Sequence, residues 1–280
     1  MSLILPVDGV RARRQRFAVT LWLSLGVLLV VALWAIFPAI FTHQDPLIGD
    51  PLQALQPPST AHWFGTDHLG RDIYSRTVFG TALTLKATLF SVAIALVIGA
   101  TIGVIAGYVG GRVDQLFMRV IDVLMAIPNL LLAMAIVTVL GFGTLHIAIA
   151  VGLSSIATFA RLSRGEVLRS KVNLFVEAAQ AGGVSHLTII RRHIIPHALA
   201  PVLSLAALEL GFALLSVSAL SFLGFGAPPP QPEWGLLVSE GRNYIAAAWW
   251  YTSLPGLMIV LAVLATNRVA GFIQDRSEEA

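Results

Sequence analysis

Five stretches of this chain are long, apolar and almost without charge. They cover residues 17–41, 87–110, 123–160, 198–227 and 252–273, and only Glu209 and Arg268 interrupt them. A helix that crosses a bilayer needs about 20 apolar residues. Residues 123–160 are too many for one such helix, and Gly141-Phe142-Gly143 marks a break between two. The sequence therefore predicts an all-α polytopic membrane protein with six transmembrane helices.

Composition excludes several kinds of chemistry. Only 12% of the residues are charged and 56% are hydrophobic, whereas soluble domains carry about 25% charged residues. Cysteine is absent, so disulfides, thiolate nucleophiles and cysteine metal sites are excluded. The G-x-x-x-x-G-K-[ST] pattern of P-loop nucleotide sites is also absent. Energy from ATP would have to enter through another protein.

Basic residues set the predicted orientation. Most of the Lys and Arg residues fall in residues 1–16, 111–122, 161–192 and 268–276. Because cytoplasmic loops of membrane proteins are rich in Lys and Arg, the termini are predicted on the inside, N-in/C-in. Residues 1–16 are then a basic cytoplasmic N-terminus with a topogenic role and no nucleic-acid partner. Residues 17–41 form TM1, because that apolar run is too long for a cleaved signal peptide.

Residues 42–80 are predicted as an extracytoplasmic loop that contains an interfacial helix. The loop begins rich in proline, and Thr66 or Asp67 could cap a short helix. Leu69 and Ile73 would form its apolar face, and its polar face would carry Asp72, Ser75 and Arg76. Residues 81–280 are the predicted transmembrane domain with TM2 to TM6.

Gly99, Gly103 and Gly107 repeat at four-residue spacing inside the second predicted span. Small residues on one helical stripe let another backbone approach closely. The stripe is therefore predicted to pack against a helix, either of this chain or of a partner subunit.

Two polar residues within the spans are candidates for a translocation path. Glu209 is a carboxylate deep in the fifth span, where a lipid-facing charge costs about 2.5–3.5 kcal/mol. It either lines a path or is a structural acid bonded to a neighbouring helix. Asn129 follows Pro128, where a kink could line a cavity or merely adjust packing.

Catalytic and metal sites are not predicted. His193 and His197 are four residues apart, but Pro196 lies between them and a third ligand is missing. The hydroxyl residues lack the neighbouring base that nucleophilic catalysis needs. A membrane-embedded enzyme that uses Glu209 and Asn129 remains a remote alternative.

Residues 161–196 form a polar interruption between two spans. Residues 175–181 suit a short helix, Gly182 and Gly183 suit a turn, and Ser185 could cap a second helix that runs through His193. Two short helices at the membrane surface could lie in a groove of a cytosolic partner and pass its motion to the flanking spans.

The spacing within this interruption resembles a known motif. Glu177-Ala178-Ala179, Gly183 six positions after the glutamate, and Ile194-Ile195-Pro196 are similar to the EAA loop of ABC importer permeases. The family usually has Leu before the proline, where this chain has Ile195. Residues 64–76 (FGTDHLGRDIYSR), 111–114 (GRVD), 221–226 (SFLGFG) and 233–235 (EWG) extend the similarity over nearly the whole chain. They resemble the C-type permease of the dipeptide, oligopeptide and nickel importer family.

That resemblance implies a type I ABC importer permease in the bacterial inner membrane. It implies a heterodimer with a second permease, two cytosolic ABC ATPase subunits and an extracytoplasmic solute-binding protein. The ATPases would hold ATP and Mg, and this chain would hold no cofactor and catalyse no reaction. The coupling residues would be Glu177, Ala178, Ala179, Gly182, Gly183, Arg191, Arg192, Ile194 and Pro196. Di- and oligopeptides are the expected cargo, with nickel or a metallophore, an opine or glutathione as alternatives.

Overall fold

The computed structural model describes the backbone of residues 7–279 and the side chains of residues 19–274. Throughout that backbone the regular structure is helical. The helices are α1 (Val7–Ile36), α2 (Pro38–Phe41), α3 (Ile73–Val109), α4 (Gly111–Met125), α5 (Asn129–Leu140), α6 (Thr144–Lys171), α7 (Leu174–Ala181), α8 (His186–Ile189), α9 (Ile195–Phe222), α10 (Trp234–Gly241) and α11 (Trp249–Glu279). The all-α prediction is confirmed.

Five helical segments are long and apolar enough to cross a membrane: α1, α3, α6, α8 together with α9, and α11. Helices α4 and α5, which are bent by 95° relative to each other, make a sixth span when the pair is counted as one broken span. Gly141 and Gly143, with φ of 96° and 132°, separate α5 from α6. This break between the third and fourth spans is where the sequence places it.

Successive crossings alternate in direction. Arg268 Nε donates to Thr20 Oγ1 at 3.0 Å, so the start of the apolar span of α1 at Val19 lies beside the second half of α11. The end of α3 lies beside the end of α6, because Lys171 Nζ donates to the Tyr108 carbonyl at 2.8 Å. We call the end of the bundle with Val109 and Lys171 the basic end. The opposite end, with residues 42–72 and 223–248, is the loop end.

The third crossing is not one continuous helix over residues 123–140. Helix α4 begins at Gly111 and ends at Met125, and α5 begins again at Asn129. Pro128 lacks an N–H and disfavours helical geometry at the residue before it, so the chain turns a corner here. Of the two alternatives at Pro128, a kink or an adjustment of packing, the structure goes beyond the first and shows a full break.

The helix predicted to start at Thr66 or Asp67 begins instead at Ile73. The Asp67 carboxylate accepts from the N–H groups of Leu69 and Arg71 at 2.8 and 2.9 Å, which closes a turn rather than capping a helix. Asp72 is the N-cap, and it accepts from Ser75 N at 2.6 Å. The predicted interfacial helix is therefore not a separate element, because its later residues form the first turns of α3, which continues unbroken to Val109.

Helices α3 and α6 form the closest pair in the bundle. A Cβ added at Gly99 would lie 2.6 Å from the Phe159 Cβ, and one at Gly107 would lie 2.9 Å from the Val167 Cβ. Gly152 makes the reciprocal approach from α6, with the Ser91 carbonyl 2.8 Å from an added Cβ. The glycine stripe therefore packs against a helix of this chain, and not against a partner subunit.

Candidate functional site

The polar interruption forms a compact projection at the basic end. Helix α7 ends at Ala181, and Gly182 still has φ of −75°. Gly183 has φ of +75°, a value that side chains with a Cβ rarely adopt. Val184 N then donates to the Ala179 carbonyl at 3.1 Å, which closes the turn. Of the two predicted turn glycines, only Gly183 supplies the left-handed geometry.

The second predicted helix is not independent of the fifth span. Helix α8 begins after Ser185, passes through one π-helical turn over Ile190–Ile194, and continues directly as α9. The Ser185 hydroxyl bonds to the Thr188 hydroxyl at 2.8 Å and does not cap the backbone. A force on α8 therefore reaches α9 without an intervening loop.

We call the buried side of residues 172–196 the root of the projection. Val176, Ile189 and Ile194 are fully buried there and pack together with Val167 of α6. Fully burying a side chain of this kind contributes about 1.5–3 kcal/mol. The root therefore fixes the projection on the spans, and Ile194 belongs to it.

Polar contacts add to this attachment. The Tyr108 hydroxyl lies 2.7 Å from His186 Nδ1, which joins the end of α3 to the first residue of α8. Lys171 Nζ lies 5.5 Å from the centre of the Tyr108 ring. Helices α3, α6 and α8 are thereby joined around one tyrosine, which the sequence motifs do not indicate.

The opposite side of the projection, which we call the crest, is open. Its exposed residues are Glu177, Ala178, Gly182, Gly183, Arg191, Arg192 and Pro196, and Ala179 is half-buried. The residues matched to the EAA loop thus divide between a buried root and an exposed crest, on which Leu174 and Leu187 are exposed as well. A buried root with an accessible crest suits a docking element that transmits movement.

Two ion pairs tie α4 to α6 next to the projection. Arg164 binds Asp114 through both carboxylate oxygens, with Arg164 Nη2 2.6 Å from Oδ2. Arg161 Nη2 lies 2.5 Å from Asp122 Oδ1. Charges in membrane segments commonly pair with one another, so the sequence indicates that these residues have partners but does not identify them.

Glu209 lies inside the chain, among three helices. It is 8% exposed, accepts from the Ser155 hydroxyl of α6, and borders a gap, too small for a water molecule, that Ala95 of α3 also lines. Asn129 is exposed at the start of α5. The two path candidates therefore do not share a cavity, and the contacts of Glu209 are those of the structural alternative.

Replacing Glu209 by glutamine should change little. The amide keeps an acceptor for Ser155, and only the charge is lost. We expect uptake within about twofold of the wild type and a stability change under about 1 kcal/mol. Uptake assays in vesicles check this. A loss of uptake without a loss of folding would show that Glu209 lines the translocation path.

Residues 64–76 build a buried ionic network at the loop end. Asp67, Arg71 and Arg76 are at most 3% exposed. Arg71 Nε lies 2.6 Å from Asp67 Oδ2, and Arg76 Nη2 lies 2.9 Å from Glu240 Oε2 at the end of α10. The network joins the first outer loop to the second, so the predicted exposed polar face with Arg76 is wrong.

Substituting Arg76 by methionine should destabilise the loop end. The change leaves Glu240 and Asp67 buried with one cation, Arg71, between them. We expect a loss of about 1–3 kcal/mol, because unsatisfied buried charges are costly. Thermal unfolding followed by tryptophan fluorescence checks the loss. The double variant R76M/E240M should regain part of it, and equal melting of R76M and wild type would contradict the network's role.

Glu233 is another buried acid at the loop end, and it connects α10 to α3. It is fully buried and accepts from the backbone N–H groups of Gly235 and Leu236 and from the Thr84 hydroxyl. Burial raises the pKa of Glu233, and these hydrogen bonds oppose that rise. The EWG sequence thus anchors α10 to α3.

A bundle of membrane-spanning helices with an exposed projection before the span of α9 fits a membrane transport permease. The chain belongs to the family described as binding-protein-dependent transport system inner membrane component, which matches residues 99–279. It is a permease subunit of an ABC importer and a multi-pass protein of the inner membrane. The resemblance stated from the motifs is confirmed.

Similar curated proteins cover almost the whole chain. The glutathione transport system permease protein GsiD of Pectobacterium atrosepticum is 39% identical over 95% of this chain and 87% of its own length. The dipeptide transport system permease protein DppC of Alkalihalophilus pseudofirmus is 40% identical over 89% and 83%. The probable D,D-dipeptide transport system permease protein DdpC of Escherichia coli K12 is 37% identical over 98% and 96%.

Solved transporters share the fold. An inward-facing form of the MetNI methionine ABC transporter matches with a TM-score of 0.56 at 17% identity, over 72% of this chain and 97% of that one. An amino acid ABC transporter crystallised with histidines also matches at 0.56, with 18% identity over 72% and 94%. At these identities the likeness establishes the type I importer fold and no more.

Proposed function

We propose that this permease pairs with a second permease and takes its energy from two cytosolic ATPase subunits through residues 177–196. The observation that carries this is the projection itself, whose crest is open while its root is fixed to α3, α6 and α9. A docking surface must be accessible, and its support must be stiff enough to pass on a displacement. Closure of the ATPases would push the crest and turn the bundle from inward to outward access.

The basic end would face the cytosol. It carries Arg112, Arg119, Arg161, Arg164, Arg169, Lys171, Arg191, Arg192 and Arg268, and cytoplasmic loops are enriched in such residues. The loop end would then meet the extracytoplasmic solute-binding protein. ATP and Mg would be held by the ATPases, so this chain itself would remain a transporter without a cofactor.

Peptides are the cargo that we propose. Three similar permeases are named for glutathione, dipeptides and D,D-dipeptides, all of which contain peptide bonds. Glutathione, first placed among the alternatives, therefore belongs to the leading class. Nickel or a metallophore and an opine remain the alternatives outside it.

Uptake by the assembled importer tests the cargo. The two permeases, the ATPases and the cognate binding protein are reconstituted in liposomes, and ATP-dependent uptake of labelled Ala-Ala, glutathione and Ni²⁺ is measured. We expect Ala-Ala or glutathione to accumulate and Ni²⁺ not to. Accumulation of Ni²⁺ alone would overturn the peptide assignment while leaving the permease role intact.

A further inference from the structure

A pocket at the basic end carries charges of both signs. It lies between α6, α9 and α11 and has a volume of about 530 Å³. Its polar residues are Glu166, Arg169, Ser204 and Gln274, and Leu162 and Leu205 contribute apolar wall. Sites for small molecules usually measure about 300–1,000 Å³ and combine apolar walls with a few polar groups. The pocket is thus of a size and kind that suits a small polar ligand.

The two charges in the pocket differ in mobility. Glu166 Oε1 lies 3.4 Å from Arg169 Nη1, yet the Glu166 side chain is 12% exposed and that of Arg169 is 79% exposed. The carboxylate is therefore held in place, while the guanidinium can turn outward with little cost. A contact between an exposed arginine and a carboxylate is worth about 0.2–1 kcal/mol, so a ligand could replace it.

The two charges can separate far enough to hold a short peptide. Glu166 Oε1 and Arg169 Nη1 lie 3.4 Å apart, and the exposed guanidinium can turn away from the fixed carboxylate. The ammonium and carboxylate of an extended dipeptide are about 6 Å apart, a separation within reach of two long side chains whose Cβ atoms are about 5–6 Å apart. A dipeptide could place its ammonium on Glu166 and its carboxylate on Arg169, with its side chains against Leu162 and Leu205.

We propose that this pocket binds the free termini of a short peptide at the basic end of the bundle, with Glu166 as the ammonium site and Arg169 as the carboxylate site. The proposal rests on the proposed peptide cargo. It replaces Glu209 and Asn129 as cargo-binding residues, since Glu209 borders a gap too small for a water molecule and Asn129 lies on a different helix. Val167, between the two charged residues, is part of the root, so the pocket adjoins the projection.

Direct binding to the assembled importer tests the proposal. The complex is placed in nanodiscs without binding protein or ATP, and calorimetric titration uses Ala-Ala, N-acetyl-Ala-Ala, which lacks the ammonium, and Ala-Ala-amide, which lacks the carboxylate. Removing a charge-assisted hydrogen bond weakens binding about tenfold to a hundredfold. Glu166→Gln should therefore weaken binding of Ala-Ala and of Ala-Ala-amide and leave N-acetyl-Ala-Ala unchanged. Arg169→Gln should weaken binding of Ala-Ala and of N-acetyl-Ala-Ala and leave Ala-Ala-amide unchanged.

Arg161→Gln is the matched control, because it removes an exposed arginine from the same helix outside the pocket. Its binding of Ala-Ala should equal that of the wild type. If E166Q and R169Q bind Ala-Ala with wild-type affinity, the pocket is not the peptide site, even if the importer accumulates peptides in liposomes. Failure of the wild-type importer to accumulate any peptide would instead overturn the cargo assignment and the pocket with it.

Discussion

Replacing Gly183 by valine is expected to uncouple ATP hydrolysis from uptake while the permease still folds. Gly183 has φ of +75°, and an added Cβ there would meet nothing within 4 Å. The substitution therefore causes no clash, and its whole cost is the left-handed backbone, about 1–2 kcal/mol for a residue with a Cβ. A β-branched residue relieves this strain by reshaping the turn, which reorients α7 relative to α8.

We expect uptake per ATP hydrolysed to fall about tenfold or more, which corresponds to a coupling free energy of about 1.4 kcal/mol or more. The ratio is measured in proteoliposomes that contain the complete importer. Two control variants distinguish the effect of the left-handed backbone from the effect of adding a side chain. Gly183→Asn should retain most coupling, because asparagine tolerates positive φ. Gly182→Ala should retain it as well, because Gly182 already has φ of −75°. Normal uptake by the valine variant would remove the coupling role from this turn.

Replacing Gly103 by valine is expected to prevent stable folding. An added Cβ at this position would lie 2.7 Å from the Ser163 Cβ and 2.8 Å from the Arg164 backbone nitrogen. Backbone atoms of a packed helix cannot move aside singly, so α3 and α6 would have to separate. Overpacking of this kind costs about 3 kcal/mol or more when the obstacle is backbone.

Thermal unfolding in detergent and the yield of monodisperse permease measure this effect. Gly165→Ala is the matched control, because Gly165 lies within α6 and an added Cβ would meet nothing within 4 Å. Alanine favours the helix over glycine by about 0.5–1 kcal/mol, so the control should be neutral or slightly stabilised. A valine variant with wild-type melting behaviour would show that the α3 and α6 contact is looser than the structure has it.

Much of the site was predictable from local patterns. The positions of Glu177, Gly183 and Pro196 on one projection follow from their spacing along the chain. The break at Gly141 to Gly143 was also predictable, because glycines interrupt helices through their own backbone freedom. These features depend on residues near one another in sequence, and the structure places them as the sequence predicts.

Other expectations failed because the deciding partner is distant in sequence. The sequence makes Arg76 an exposed residue of an interfacial helix, whereas its contact with Glu240, 164 residues later, buries it. From the sequence, Glu209 suits either a residue that lines a path or a structural acid, and only its contact with Ser155 decides between the two roles. The pocket with Glu166 and Arg169 exists only because α9 and α11 complete its walls.

The sequence alone determined that this chain is an all-α membrane protein with a polar projection between two of its spans. Apolar length, charge distribution and glycine spacing act locally, and the bilayer leaves a helix as the main way to satisfy the backbone. Only the tertiary structure decided which glycine turns the chain, that α8 continues into α9, and which charged residues share a cavity. Those outcomes depend on side chains from separate helices meeting at distances of a few ångströms, and such contacts leave no periodic signal in the chain.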